Sequence, residues 1–360
     1  MSRAGAYRVA VIPGDGIGRE VIVEAVRVLA EADRRYELGL EFEEGIAGGG
    51  AIDAVGHPIP EKTVELCRRS EAILVGACGG PKWDRGPREL RPEQALFTLR
   101  KTFGLYANLR PATVSPAMMA ASPLRREVVE GADILIVREL TGGLYFGAQS
   151  RTGQGDEAAA MDTLPYSAGE VRRVVRKACQ IARMRPRRKV TSVDKANVLE
   201  TSRLWREVAA EVAGEFPDVT FEHMLVDNCA LQLVSNPKQF DVIVTENMFG
   251  DILSDEAAGV MGSLGLMPSA SLGEQPPGLF EPVHGTAPDI AGRGIANPLA
   301  AILTGALLLR YGLGHEAAAS AIETAVLGAL QDGCRTADLT GRGPALGTAA
   351  MTDAVLARFH

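Results

Sequence analysis

Asp251 and Asp255 stand four residues apart in Thr245-Glu246-Asn247-Met248-Phe249-Gly250-Asp251-Ile252-Leu253-Ser254-Asp255, so a helix there holds both carboxylates on one face. Like charges at that spacing cost roughly a few tenths of a kcal/mol on a wet helix and up to ~3 kcal/mol if partly buried. Stability alone does not favour the pair. A hard divalent cation, which takes oxygen ligands, resolves the repulsion. The plainer alternative is an acidic first turn that complements the helix dipole.

Arg100, Arg110 and Arg138 each follow an apolar residue or run. Singly, such arginines cap elements or pair with surface acids. Converging, their forked guanidiniums suit planar carboxylates and point to a di-acid ligand. Tyr145, in Thr141-Gly142-Gly143-Leu144-Tyr145-Phe146-Gly147, has the chemistry of a general acid. Lys195, in Ser192-Val193-Asp194-Lys195-Ala196-Asn197-Val198, has that of a base. Each also has a bland reading, a packed aromatic with a hydrogen-bonded tip and a strand-end surface lysine. The turn-rich stretch Glu281 to Ile290 carries His284 without a second histidine or thiolate at metal spacing, so a loop around a polar ligand fits it better.

The elements that must position these groups are of α/β type. Arg8 to Ile12 reads as a strand, Gly14 to Gly18 as a turn and Glu20 to Ala32 as an amphipathic helix. Further strand-like runs occur at Ala72 to Val75, Ile134 to Val137, Val190 to Val193 and Asp241 to Thr245, with helical patterns between several of them. A largely parallel sheet follows. Phe240 to Val244 predicts a core strand running into a helix over Phe249 to Ser263, with Ile252, Leu253, Ala257, Val260 and Met261 on its apolar side. Gly14-Asp15-Gly16-Ile17-Gly18 is not a dinucleotide fingerprint, because GxGxxG needs glycine where Arg19 stands.

With 360 residues and 46% hydrophobic content the chain exceeds one typical core, so two lobes are expected. A net charge of −7 argues against general nucleic-acid or anionic-membrane binding. The basic run Arg172 to Lys189 has apolar residues at helical spacing and reads as a solvated helix face. The five cysteines are scattered and form no CxxC pair, which suits reduced thiols and a cytoplasmic location. Ala296 to Leu309, the longest apolar segment, is too short to span a bilayer.

Taken in order, the segments Pro13 to Gly18, Arg91 to Pro111, Arg138 to Gly147, Asp194 to Glu200, Thr245 to Asp255 and Glu281 to Pro298 resemble the decarboxylating dehydrogenases that act on 3-isopropylmalate and isocitrate. The resemblance implies a two-domain α/β fold with a mixed sheet, not a Rossmann fold. One domain would comprise 1–105 and 262–360, the other 106–261, with the site in the cleft. Arg91 to Arg100 looks like the isopropylmalate branch, with Glu93 and Leu96 where isocitrate enzymes carry a serine and an asparagine. Burying an isopropyl group on Leu96 and Val198 would contribute about 2 kcal/mol. Phe97 stands where the family usually has a second leucine.

By the same resemblance NAD lies on Gly79, Gly80 and Glu93 and on His284, Gly285, Thr286, Ala287, Pro288, Asp289, Ile290 and Asn297. Asp289 matches the adenosine-ribose acid, and a carboxylate there repels a 2'-phosphate, which favours NAD over NADP. Asp227 becomes a third metal carboxylate that also faces the substrate, and Lys195 a catalytic residue, both reaching the neighbouring subunit's site in a homodimer. Oxygen-only ligands favour Mg2+ or Mn2+. Two substrate carboxylates, the three arginines, a dication and three aspartates together carry no net charge. A charged Lys195 would then leave a positive excess beside nicotinamide, which favours the neutral base. The expected reaction is NAD-dependent oxidative decarboxylation of a dicarboxylic hydroxy acid, (2R,3S)-3-isopropylmalate, to 4-methyl-2-oxopentanoate and CO2. The alternatives are a sister enzyme for tartrate, malate or homoisocitrate, and a non-catalytic regulatory subunit.

Overall fold

The apolar run at the start of the chain forms the strand Tyr7–Ile12, whose last four residues are buried. It leads through the glycine turn into the helix Gly18–Tyr36. This computed structural model describes residues 6–85, 87–113, 119, 122–262, 264–340 and 343–359. Two units are present, one of Met1–Leu105, Ser115–Ala121 and Gly262–His360, the other of Tyr106–Val114 and Ser122–Met261.

In the first unit the strands lie in the order Leu40–Glu44, Tyr7–Ile12, Ala72–Val75, Gly278–Pro282, Pro268–Leu272. Neighbours are parallel except the last pair, which is antiparallel. Ala72–Val75 is buried throughout, as a continuous apolar run in a parallel sheet requires. The helix Leu299–Leu307 is buried at nearly every position and packs on Gly18–Tyr36.

In the second unit the order is Ala107–Thr113, Asp133–Glu139, Val242–Thr245, Lys189–Asp194, Thr220–Leu225, with only the first pair antiparallel. The fold is thus mixed α/β with mostly parallel strands. A separate hairpin, Gln149–Thr152 with Ala159–Asp162, is exposed along both strands.

The basic run falls on the helix Ala168–Arg183, where Ser167 and Glu170 form a capping box. Its basic face is not simply solvated. Arg172, Arg176 and Arg183 pair with Glu211, Glu215 and Asp218 at 2.9, 2.6 and 2.5 Å. Those acids offset three of the positive charges of the run.

The helix carrying the aspartate pair spans Asn247–Met261, and Ser263, the expected end, lies outside the described residues. Leu253, Ala257 and Val260 are buried as expected, but Ile252 is 59% exposed. Periodicity identifies apolar positions without saying what covers them. Leu231 and Val234, on the adjoining helix Val226–Ser235, are also exposed. All five cysteines are free thiols. Among the described residues no helix is long and apolar enough to cross a membrane.

Candidate active site

Strand register determines which arginines can meet. Asn108 pairs with Arg138 across the antiparallel strands, and Arg110 is two residues on, so all three side chains leave the same face. The helix Asn247–Met261 packs on that face and brings Asp251 and Asp255 to it. A Cβ at Gly250 would lie 2.7 Å from Arg138 Cβ. The close approach therefore requires glycine within a helix. Gly250→Ala should raise helix propensity by ~1 kcal/mol yet lower the melting temperature, because overpacking costs about 1–3 kcal/mol. The same displacement of Arg138 should reduce kcat/KM about tenfold or more. Thermal unfolding and steady-state rates check both effects, and a rise in melting temperature would contradict the steric reading.

Arg138 ion-pairs with Asp251, and Arg110 reaches Asp251 at 3.2 Å and Asp255 at 3.5 Å. Both guanidiniums are buried and held from behind. Arg110 Nε donates to Asn108 Oδ1 at 2.8 Å, and its terminal nitrogen donates to Ser254 Oγ at 2.7 Å. Arg138 Nε donates to Asn247 Oδ1 at 2.9 Å. Fixed in this way, the forks lose little entropy on gripping a carboxylate. Tyr145 donates its hydroxyl to Asp251 Oδ2 at 2.9 Å, with the Arg138 guanidinium 5.5 Å from its ring centre. Burial, reinforced by Asp251, raises the Tyr145 phenol above its ordinary value and keeps it protonated. Burial also raises Asp255, against the opposing effect of Arg110.

Two further acids lie beneath this layer. Glu139 accepts from the backbone N–H groups of Thr141 and Gly142 at 3.0 and 2.8 Å, fixing the turn that carries Tyr145. Glu246 accepts from Met248 and Phe249 N–H, both at 3.0 Å, capping the helix that carries the aspartates. Tyr166 Oη lies 3.4 Å from each acid. Burial raises both carboxyls, against the N–H donors that favour the charged form.

Lys195 and Asp227 form a second cluster, joined at 2.6 Å. The Lys195 ammonium holds the Asp227 carboxyl below its usual range. Val198, on the turn after Lys195, is 62% exposed. Among the described residues no three His, Cys, Asp or Glu side chains gather as a metal site, so Asp227 does not join Asp251 and Asp255 within one chain.

The remaining expected residues lie in the first unit. Arg100 donates to Glu281 at 2.6 Å, while its buried Nε has no acceptor among the described residues. Leu96 packs at the edge of a core cluster that includes Leu99 and Ile73. Gly79 and Gly80 have φ of +142° and +152°, and a Cβ at Gly79 would lie 2.9 Å from a Glu93 carboxylate oxygen. His284 Nδ1 contacts Gly285 O at 3.0 Å, whereas its buried Nε2 has no partner among the described residues. Burial lowers the His284 imidazole, keeping it neutral. Pro288 and Asp289 are exposed, and Ala287 takes a positive φ of +39° beside them. Asn297 accepts from Leu299 N–H and donates to Asp338, both at 3.0 Å.

The isocitrate/isopropylmalate dehydrogenase family model matches residues 8–355. The chain belongs to this family. A 3-isopropylmalate dehydrogenase from Geobacillus kaustophilus is 59% identical over 340 residues, 94% of this chain and 91% of that one. One from Gloeobacter violaceus is 55% identical over 359 residues, 99% of each chain. The crystal structure of isocitrate dehydrogenase from Methylococcus capsulatus matches with a TM-score of 0.87 at 38% identity, covering 98% of this chain and 99% of that one. For this family member, sequence reading missed Asn108, Ser254, Asn247, Glu139, Glu246 and Tyr166. For Asn108, Glu139, Glu246 and Asn247 the signal was polar type within or just after buried strands, as in Glu246-Asn247 following Val242–Thr245, whereas Ser254, inside a helix, and Tyr166, ahead of one, had none.

Proposed function

We propose that the protein catalyses NAD-dependent, divalent-metal-dependent oxidative decarboxylation of (2R,3S)-3-isopropylmalate to 4-methyl-2-oxopentanoate and CO2, a step of leucine biosynthesis. The observation that carries this reading is the convergence of Arg110, Arg138, Tyr145, Asp251 and Asp255 on one face in a chain 59% identical to a 3-isopropylmalate dehydrogenase. The arginine and aspartate charges in that cluster balance. A dicarboxylate and a dication entering together preserve the balance, so each should strengthen the other's binding.

The donor set fits Mg2+ or Mn2+, being carboxylate oxygen only, with Asp251 and Asp255 one helical turn apart. Asp227 of the partner subunit would supply the third carboxylate in a homodimer. The exposed Leu231, Val234 and Ile252 support an apolar contact there. The His284 Nε2, without a partner among the described residues, and the positive-φ Gly79-Gly80 backbone fit a dinucleotide. When bound, the cation stabilises negative charge developing on the substrate's C2 oxygen, and NAD takes up the hydride.

Arg110 and Arg138 hold substrate carboxylates through their outward nitrogens, and Arg100, with its free Nε, is a third carboxylate ligand. Lys195 of the partner subunit accepts the C2 hydroxyl proton as hydride leaves C2. A cation bound to Asp227 would compete with the Lys195 ammonium for that carboxylate, which weakens the counter-ion and favours the neutral amine that accepts a proton. The 2-keto acid then loses its β-carboxylate as CO2, and Tyr145 protonates the resulting enolate at C3. Leu96 and Val198 give the isopropyl group apolar contact.

NADH formation with Mn2+ present, compared across 3-isopropylmalate, isocitrate, tartrate, malate and homoisocitrate, tests the assignment. The isopropyl compound should lead by about tenfold or more, the discrimination an apolar pocket provides. A faster rate with any other acid would replace the substrate. No turnover with any of them would indicate a regulatory subunit.

A further inference from the structure

The segment Gly14-Asp15-Gly16-Ile17-Gly18 is not a dinucleotide fingerprint and holds none of the site residues above, yet it is tied to both loops assigned to NAD. The Asp15 side chain is buried and accepts from Gly49, Gly50 and Gly79 N–H at 2.7, 2.9 and 3.0 Å. Asp15 N–H donates to Ala77 O at 2.7 Å, and Ile17 N–H donates to Thr286 O at 2.9 Å. A Cβ at Gly14 would strike the Ala77 carbonyl, and one at Gly16 the Thr286 carbonyl. In the first turn of the following helix, the Glu20 carboxylate accepts from Gly292 N–H and, at 2.9 Å, from Gly294 N–H.

We infer that Asp15 and Glu20 are positioning residues for the dinucleotide, holding the Gly79-Gly80 and Thr286–Gly294 backbones in the form that binds it. The inference rests on the assignment of NAD to those loops. Gly79, Gly80, Gly292 and Gly294 all have positive φ, and a glycine-rich loop loses much conformational entropy when it is ordered. A carboxylate that accepts several N–H groups at once orders the loop before the ligand arrives and so removes that cost from binding. Asp15 secures the first loop from beneath. Glu20 secures the second from the side.

The decisive variant is Glu20→Ala, because Glu20 lies outside the core and its replacement leaves no cavity. Calorimetric titration of NAD should show Kd rising about tenfold, while KM for 3-isopropylmalate and kcat at saturating NAD stay within about twofold. Glu20→Gln, which keeps one acceptor oxygen, should show a rise of about threefold. Asp15→Asn is expected to act in the same direction, and Glu20→Ala decides the matter if that buried variant does not fold. An unchanged Kd in Glu20→Ala beside normal NAD binding by the wild type overturns this inference alone. Equal weakening of NAD and 3-isopropylmalate overturns it too, since that marks a general structural role. A wild-type protein that binds no NAD overturns the cofactor assignment together with it.

Discussion

Lys195→Ala is expected to lower NADH formation from 3-isopropylmalate by about 10²- to 10⁴-fold, the usual contribution of a positioned general base. Decarboxylation of the separately supplied 2-keto acid should survive in part, because that half-reaction needs no proton taken from C2 oxygen. The split distinguishes a base from a structural residue. Lys195 also holds Asp227 at 2.6 Å, so its loss removes the counter-ion of a carboxylate assigned to the metal. Metal affinity should therefore hold or rise. Equal loss of both half-reactions, or a collapse of Mn2+ binding, would contradict the role given to the amine.

Tyr145→Phe should act on the other half. Removing the hydroxyl that donates to Asp251 at 2.9 Å leaves the aromatic packing and the Arg138 contact in place, so substrate affinity should change little. Protonation at C3 should slow by about 10²- to 10³-fold. The enolate left by loss of CO2 would then wait on solvent for its proton, and the keto intermediate ahead of it would accumulate. Single-turnover analysis of products reads this directly. A rise in KM with unchanged product partitioning would make Tyr145 a binding residue.

The parts of the site that were legible in the sequence depend on fixed periods. Asp251 and Asp255 could be paired from their spacing alone, because a helix brings i and i+4 together whatever surrounds it. The strand Ala72–Val75 matches its apolar run residue for residue. Residue chemistry singled out Tyr145 and the three arginines, but it did not reveal what steadies them. Asn108, Asn247 and Ser254 each contribute one hydrogen bond to a guanidinium, and a single polar side chain has no spacing to read. Glu139 and Glu246 are harder still, since acids in or beside apolar strands look like surface edges until the turn and helix that they cap are seen. Ile252 failed in the opposite sense. An apolar residue on an amphipathic helix reads as core, whereas here it stands exposed, as do Leu231 and Val234 of the adjoining helix.

That exposure bears on the claim that joins the two charged clusters. Asp251 and Asp255 sit with Arg110 and Arg138, Lys195 sits with Asp227, and among the described residues of one chain no three acids gather as a metal site. If each active site takes its aspartate pair from one subunit and Lys195 from the other, two inactive variants can repair each other. Asp251→Asn and Lys195→Ala chains, unfolded together and refolded as a mixture, form mixed dimers in about half of cases by random pairing of a two-fold assembly. Each mixed dimer then holds one site with both residues intact. The expected recovery is about one quarter of wild-type NADH formation with 3-isopropylmalate and Mn2+. Activity no higher than that of the two parents, from a mixture shown to contain mixed dimers, would contradict a site shared between subunits.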